Sequence, residues 1–100
     1  MYAVFRETHY AADQEVVTKP EYQEFNVVHA KQPGYLGTIV ADAGDGKLLT
    51  VTLWATAENM VAARDALGAV VARTLNPLMT APAVLLGTGR VVVNDLVAGD

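Results

Sequence analysis

The sequence contains no cysteine and few charged residues, and both shortages narrow what the protein can do. Without cysteine there is no disulfide framework, no thiol nucleophile and no cysteine-based zinc site. The 7 lysine and arginine residues stand against 11 acidic ones, a net charge of −4, which argues against a nucleic-acid partner. No apolar run reaches about 18 residues, so no membrane span is expected. The two histidines show no metal-ligand spacing, so no metal site is expected.

Apolar residues are what the chain has in excess. Of its 100 residues, 52% are hydrophobic and 18% are charged, in a length that suits one domain over residues 1–100. A monomer of this size buries about 60–65% of its unfolded surface. The apolar excess therefore predicts a surface that meets a partner or lines a cavity, unless it only reflects a composition rich in alanine and valine, and we expect a homodimer. The N-terminus lacks a basic segment followed by an apolar one, so we expect a cytoplasmic protein.

The stretch from Gln32 to Glu58 shows the clearest sequence of elements. Pro33-Gly34 ends a preceding helix, and Tyr35 to Ala43 is β-branched and aromatic enough for a strand. Gly44-Asp45-Gly46 then predicts the turn of a hairpin. The second strand, Leu48 to Trp54, splits by alternation into two faces. One face carries Leu49, Val51 and Leu53, and the other carries Thr50, Thr52 and Trp54.

The residues before this stretch predict a strand and a helix. Tyr2 to Tyr10 reads as a strand, and Ala11 to Val17 as a connection with at most one helical turn. Thr18-Lys19-Pro20-Glu21 matches a capping box, with Thr18 as N-cap, and predicts a helix running to about Lys31. The residues that fall at helical spacing on its apolar face are Tyr22, Phe25, Val28 and His29.

The residues after the hairpin predict a second helix and a last strand. Thr56 is the expected N-cap, Gly68 is a possible interruption, and Asn76-Pro77 ends the helix. Its apolar side carries Met60, Ala63, Leu67, Val70, Val71 and Leu75. Pro82 to Leu96 is expected to be a strand with a bulge at Gly87-Thr88-Gly89.

The predicted order β-α-β-β-α-β is that of a ferredoxin-like α+β fold. Its antiparallel sheet carries both helices on one face. Val91, Val92 and Val93 would make the last strand apolar on both sides, so the other face also needs a cover. A second copy of the same sheet would supply it.

Trp54 and His29 are the residues around which a site is expected. Trp54, at the end of its strand, suits the wall of a pocket for a flat aromatic molecule, or simply the core. Thr50 and Thr52 share its face and suit a polar cavity wall, although threonine is also a good strand former. A neutral His29 pointing at the sheet could act as a base with a pKa near the working pH, or make a structural hydrogen bond.

Other candidates are less specific. Tyr22, Phe25 and Tyr35 are expected to contact a substrate, the tyrosines as hydroxyl donors, or else to belong to the core. His9 is expected at the end of the first strand, either near the surface or at the rim of a cavity. Arg64 and Arg73 are expected to face solvent, although either could bind an acidic substrate group.

The ordered set of motifs resembles the antibiotic biosynthesis monooxygenase-like family of dimeric α/β barrels. The residues that carry the resemblance are Gln32-Pro33-Gly34-Tyr35-Leu36-Gly37, Gly44-Asp45-Gly46, the run Leu49 to Trp54, and a glycine before Arg90-Val91-Val92-Val93. The resemblance extends from Tyr2 to about Leu96. The family's fold implies two ferredoxin-like sheets packed face to face in a homodimer. It also implies a ligand cavity between each sheet and its helices.

The resemblance implies a function as well. Members of known activity oxygenate aromatic polyketides or quinols with molecular oxygen and without metal or flavin, so no cofactor and a small aromatic ligand are expected. Trp54 matches the family's strand tryptophan. Thr50 stands where the polyketide oxygenases have asparagine, and Ala55 stands where an acidic residue is usual.

Two alternatives to an oxygenase remain open. The Thr50 and Ala55 departures favour a non-catalytic dimeric module that binds a small apolar ligand. Haem binding or degradation is disfavoured, because the family's haem degraders carry a tryptophan and a histidine on the second helix and this helix has neither.

Overall fold

The computed structural model describes residues 1–96, which form four strands and two helices. The elements are β1 (Tyr2–Tyr10), α1 (Pro20–Ala30), β2 (Tyr35–Gly44), β3 (Lys47–Trp54), α2 (Ala57–Thr74) and β4 (Met79–Arg90). Short 3-10 turns at Val16–Thr18 and Asn76–Leu78 precede α1 and β4. This order confirms the predicted ferredoxin-like α+β fold.

The sheet has the order β2-β3-β1-β4, and every neighbouring pair of strands is antiparallel. In the central pair, Val4 lies opposite Thr52 and Arg6 lies opposite Thr50. Thr38 on β2 lies on the other side of Thr52. Directly opposed residues share a face, so this register gathers their side chains on one side of the sheet.

Both helices pack on that side. The core forms two clusters, one around Trp54 and one around Tyr22. The first contains Val4, Trp54, Ala63, Leu67 and Val70, and the second contains Tyr10, Val16, Tyr22, Leu48 and Leu75. The apolar helix faces predicted from the sequence therefore meet the sheet face that carries Trp54.

Two of the predicted local signals are confirmed in detail. The hairpin turn between β2 and β3 has positive φ at Gly44, Asp45 and Gly46. Thr56 caps α2, because its Oγ1 accepts a hydrogen bond of 3.0 Å from the N–H of Asn59.

The predicted capping box at Thr18 is wrong. Lys19 is the N-cap of α1 and makes no side-chain cap, while Thr18 Oγ1 donates to the Glu15 carbonyl at 2.8 Å. The reason lies in Pro20, because the residue before a proline is driven out of the helical region. Lys19 accordingly has ψ 144°, and the helix can begin only at Pro20.

The bounds predicted for the last strand are also wrong, since β4 runs from Met79 to Arg90 rather than from Pro82 to Leu96. Arg90 pairs with Tyr2, the first residue of β1, and beyond it the Val91 N–H still donates to the Met1 carbonyl at 2.9 Å, where the chain available for pairing ends. Val92 and Val93 lie past the strand and are exposed. Pro82 is tolerated inside the strand because β4 is an edge strand.

A bulge is present in β4, but it lies just before the predicted position at Gly87-Thr88-Gly89. Gly87 pairs with Phe5 and Leu85 pairs with Arg6, which leaves Leu86 as the extra residue. The break considered at Gly68 does not occur, since α2 is continuous from Ala57 to Thr74. Within residues 1–96, no helix is long and apolar enough to cross a membrane.

Candidate functional site

A cavity of about 300 Å³ lies between the sheet and the two helices. Its volume is at the lower end of the roughly 300–1,000 Å³ typical of small-molecule sites. The sheet lines it with Val4, Arg6, Thr38, Thr50, Thr52 and Trp54. The helices line it with Tyr22, Phe25, His29, Met60, Arg64 and Leu67. No aspartate or glutamate of the described chain is among its lining residues.

The alternation along β3 puts Thr50, Thr52 and Trp54 into this cavity wall. Trp54 is 3% exposed and belongs to the core as well as to the wall, so the two interpretations of it hold together. Tyr22 and Phe25 reach the same cavity from α1. Tyr35 is the exception among the predicted site residues, because it packs behind the wall rather than lining it.

His29 lies at the centre of an aromatic cluster at one end of the cavity. The centroid of its ring is 4.9 Å from that of Phe25, 5.0 Å from Tyr35 and 5.6 Å from Trp54. The rings of Tyr35 and Trp54 are 5.7 Å apart and nearly perpendicular. The contacts of His29 with Tyr35 and Trp54 are edge-to-face, whereas its ring is tilted by 32° to that of Phe25. Ring contacts at these distances are favourable and fix the imidazole in position.

Burial, with a smaller contribution from the charge of Arg6, lowers the pKa of His29 to about 4. The expectation of a pKa near the working pH is therefore wrong. The ring is neutral at pH 7 and has one N–H and one free lone pair. Within residues 1–96, no side-chain hydrogen bond involves the His29 ring. No fully buried side-chain nitrogen or oxygen of these residues lacks a partner, so both ring nitrogens of His29 keep some exposure. His29 is also one of the residues that line the cavity, so its ring can meet a ligand there.

A chain of hydroxyl groups crosses from β2 to β3 beside this cluster. Tyr35 donates its phenolic O–H to Thr38 Oγ1 at 3.0 Å, and Thr38 Oγ1 lies 3.2 Å from Thr52 Oγ1. Thr52 is therefore already bonded within the protein. Thr50, one position along the same face, is the hydroxyl left to contact a ligand.

Tyr22 lies at the other end of the cavity, where its ring packs edge-on against Tyr10 at 6.5 Å. Burial raises the pKa of Tyr22 to about 12, and proximity to Tyr10 adds to the shift. The phenol stays protonated at neutral pH, so Tyr22 can donate a hydrogen bond but cannot serve as a base.

Arg6 is the site residue that sequence reasoning missed. It lines the cavity from β1, directly across from Thr50. Burial, and then repulsion from Arg64, lowers the pKa of its guanidinium. The alternation of Val4, Arg6 and Thr8 was a usable signal, because it places Arg6 on the same side as a buried valine.

The remaining candidates lie apart from His29. His9 contacts Glu7 at 2.7 Å on the outer side of β1. Arg73 pairs with Glu24 on the surface, whereas Arg64 lines the cavity while remaining largely exposed. Within residues 1–96, no group of three or more His, Cys, Asp or Glu side chains is placed to hold a metal ion.

No family model and no curated protein sequence matches this chain. Solved structures do match it. NE2512, a protein of unknown function from Nitrosomonas europaea, is 14% identical with a TM-score of 0.74, over 98% of this chain and 95% of that one. A protein named antibiotic biosynthesis monooxygenase is 13% identical with a TM-score of 0.70, over 93% and 100% of the two chains.

A third similar structure is that of a named oxygenase. A variant of SnoaB, a cofactor-independent oxygenase from Streptomyces nogalater, is 18% identical with a TM-score of 0.66, over 93% of both chains. Similarity at this level of identity establishes architecture and leaves chemistry to be argued from the site. The chain has the fold of the antibiotic biosynthesis monooxygenase-like proteins, as the sequence resemblance predicted.

Proposed function

We propose that this protein is a cofactor-independent monooxygenase that oxidises a small aromatic, polyketide or quinol-type substrate with molecular oxygen. The observation that carries the proposal is the neutral His29 held among Phe25, Tyr35 and Trp54 at the wall of a cavity. Such a site offers a flat apolar surface and a proton acceptor together. The fold likeness to a described cofactor-independent oxygenase supports the same reaction class.

In the proposed reaction, the substrate has a methylene group that a neighbouring aromatic ketone activates. A ring nitrogen of His29 accepts a proton from this carbon, and the carbanion transfers one electron to O₂. The radical pair recombines to a peroxide, which takes the proton back from His29. Loss of water from the peroxide leaves a carbonyl. One oxygen atom enters the product and the other leaves as water, and all four electrons come from the methylene group.

The protein's part in this scheme is to orient the substrate and exclude water. Trp54 and Phe25 would hold the ring system, and the Thr50 hydroxyl would contact a substrate oxygen. The charge of Arg6 favours the anion that forms on deprotonation, which offsets the low basicity of His29.

A non-catalytic binding module is the second candidate. The cavity has the apolar walls that it needs, and the residues that depart from the oxygenase pattern, Thr50 and Ala55, favour it. Both functions share a small aromatic ligand, so only turnover separates them.

Oxygen uptake with a panel of anthrones and dihydroquinones tests the proposal. We expect wild-type uptake well above the spontaneous rate, and about a tenfold loss in Trp54→Phe because the substrate is then less well positioned. With ¹⁸O₂, mass spectrometry of the anthrone product should find a single labelled oxygen. Uptake at the spontaneous rate for every compound would favour the binding module, and unlabelled product would exclude the scheme above.

We further propose that the outer face of the sheet pairs with a second copy of this chain. Phe5, Ile39, Leu49 and Val84 are 45%, 49%, 38% and 45% exposed there. Residues of this kind on a single sheet face form a patch that soluble monomers rarely leave open. This would make the functional unit a homodimer.

Light scattering coupled to size-exclusion chromatography checks the homodimer. We expect a dimer for the wild type and a monomer for Leu49→Glu, because two carboxylates would be buried without partners across the interface. The matched control is Val27→Glu, which places the same charge at an exposed valine of α1. A monomeric wild type, or dissociation by the control as well, would contradict the proposal.

A further inference from the structure

The cavity holds a positive charge that no ion pair of residues 1–96 neutralises. Arg6 lies in its wall and is only partly exposed. The ion pairs of residues 1–96 are His9–Glu7, Lys47–Glu7, Arg64–Asp65 and Arg73–Glu24, so Arg6 takes part in none of them. Taking a guanidinium out of bulk water without a carboxylate partner costs free energy, which a ligand of opposite charge would recover.

The surroundings of Arg6 add to this imbalance. Arg64 also lines the cavity, and its charge repels that of Arg6. Among residues 1–96, Arg64 forms an ion pair only with the exposed Asp65, at 3.6 Å, and an exposed pair of this kind compensates little. Across the strand from Arg6, Thr50 offers a hydroxyl that can donate to the same acceptor.

We infer that the ligand of this cavity is an aromatic compound that carries an oxyanion, and that Arg6 binds this oxyanion while the Trp54–His29 end holds the ring. The planar guanidinium can donate two parallel hydrogen bonds to a carboxylate, or one or two to an ionised ring hydroxyl. The inference rests on the proposed function for the cavity and narrows its substrate class from aromatic compounds in general to aromatic anions.

Calorimetric titration with probes that are not oxidised tests this recognition separately from turnover. The first pair is 2-naphthoate and its neutral counterpart 2-naphthamide. The second is ionised 4-nitro-1-naphthol and its neutral methyl ether. We expect the wild type to bind at least one anion about tenfold more tightly than its neutral counterpart, because charge-assisted hydrogen bonds are the stronger ones. A preference confined to one pair tells whether a carboxylate or a ring hydroxyl is recognised.

Variants then locate the preference. Arg6→Gln should remove it, and Arg6→Lys should keep part of it, because the charge remains but the planar pair of donors is lost. The matched control, Arg73→Gln, removes an arginine that does not line the cavity and should leave the preference intact. If Arg6→Gln does not fold, the ¹⁵N resonance of the Arg6 side chain in the wild type gives the same information, since it should shift on addition of the anion.

Three results would overturn the inference: equal binding of both members of each pair, a preference that survives Arg6→Gln, or an Arg6 resonance that the bound anion leaves unchanged. Anion preference without oxygen uptake would retain the inference and reject the oxygenase. Oxygen uptake without anion preference would do the reverse.

Discussion

On acidification from pH 7 to pH 4, the wild type is expected to lose on the order of 2 kcal/mol more free energy of unfolding than His29→Gln. The pKa of His29 falls from its ordinary 6.5 to about 4 on folding, chiefly through burial. Between these values the unfolded chain binds the proton and the folded chain does not. The contribution is fully present above pH 6.5, is lost as the pH falls toward 4, and does not change further below it.

Urea unfolding at a series of pH values measures this difference. Subtracting the His29→Gln curve removes the titration of carboxylates such as Glu7, which both proteins share. The expected loss in unfolding free energy is smaller than the full value of about 1.4 kcal/mol per unit of pKa shift, because the cavity lets water reach the ring. Parallel curves for the two proteins between pH 7 and pH 4 would show that His29 does not stay neutral in the folded protein.

The same shift has a kinetic counterpart in the proposed reaction. A base that stays unprotonated down to about pH 4 should keep its activity through the range in which an ordinary histidine loses it. The acid limb of the oxygen-uptake profile should therefore lie near 4 rather than near 6.5. A limb near 6.5 would assign proton acceptance to a group other than His29.

Gly46→Ala is expected to destabilise the fold by about 3 kcal/mol or to prevent folding altogether. A β-carbon built on Gly46 would lie 1.9 Å from the carbonyl oxygen of Tyr10. That oxygen belongs to the backbone at the end of β1, where the Tyr10 N–H donates to the Gly46 carbonyl at 2.8 Å. Relief of the overlap would have to move a strand end whose tyrosine belongs to the core.

Gly44→Ala is the matched control for this substitution. Gly44 has φ +91°, similar to the +80° of Gly46, but nothing lies within 4 Å of its added β-carbon. Its replacement should cost only the backbone strain, about 1 kcal/mol. Chemical denaturation of both variants separates strain from overlap. Equal losses at the two glycines would mean that the contact with Tyr10 relaxes without cost.

The elements that the sequence predicted well are those whose signals are local. The alternation along β3 correctly predicted that Thr50, Thr52 and Trp54 share a face, because alternate side chains of a strand point to the same side of the sheet. The glycine turn at 44–46 and the Thr56 cap depend on few neighbours in the chain. The start of α1 was mispredicted because two local signals compete there, and the constraint from Pro20 outweighs the Thr18 cap.

What the sequence could not supply depends on distant neighbours. The end of β4 is fixed by the first residue of β1, which supplies the last strand partner. The pKa of His29 depends on burial by three aromatic rings and on Arg6, which lies 23 positions away in the numbering. Arg6 itself has the pattern of an ordinary strand residue until the register places it across from Thr50, in a cavity wall to which no carboxylate of residues 1–96 contributes.

The cavity also links the stability of this domain to its ligand. A domain of 100 residues has a small core, and an open space of about 300 Å³ inside it forfeits packing that neighbouring side chains would otherwise make. A compound that fills the space restores those contacts in the folded state alone. A ligand at about one hundred times its dissociation constant would raise the free energy of unfolding by about 2.7 kcal/mol. In a cell, the lifetime of the protein would then follow the supply of the compound it binds.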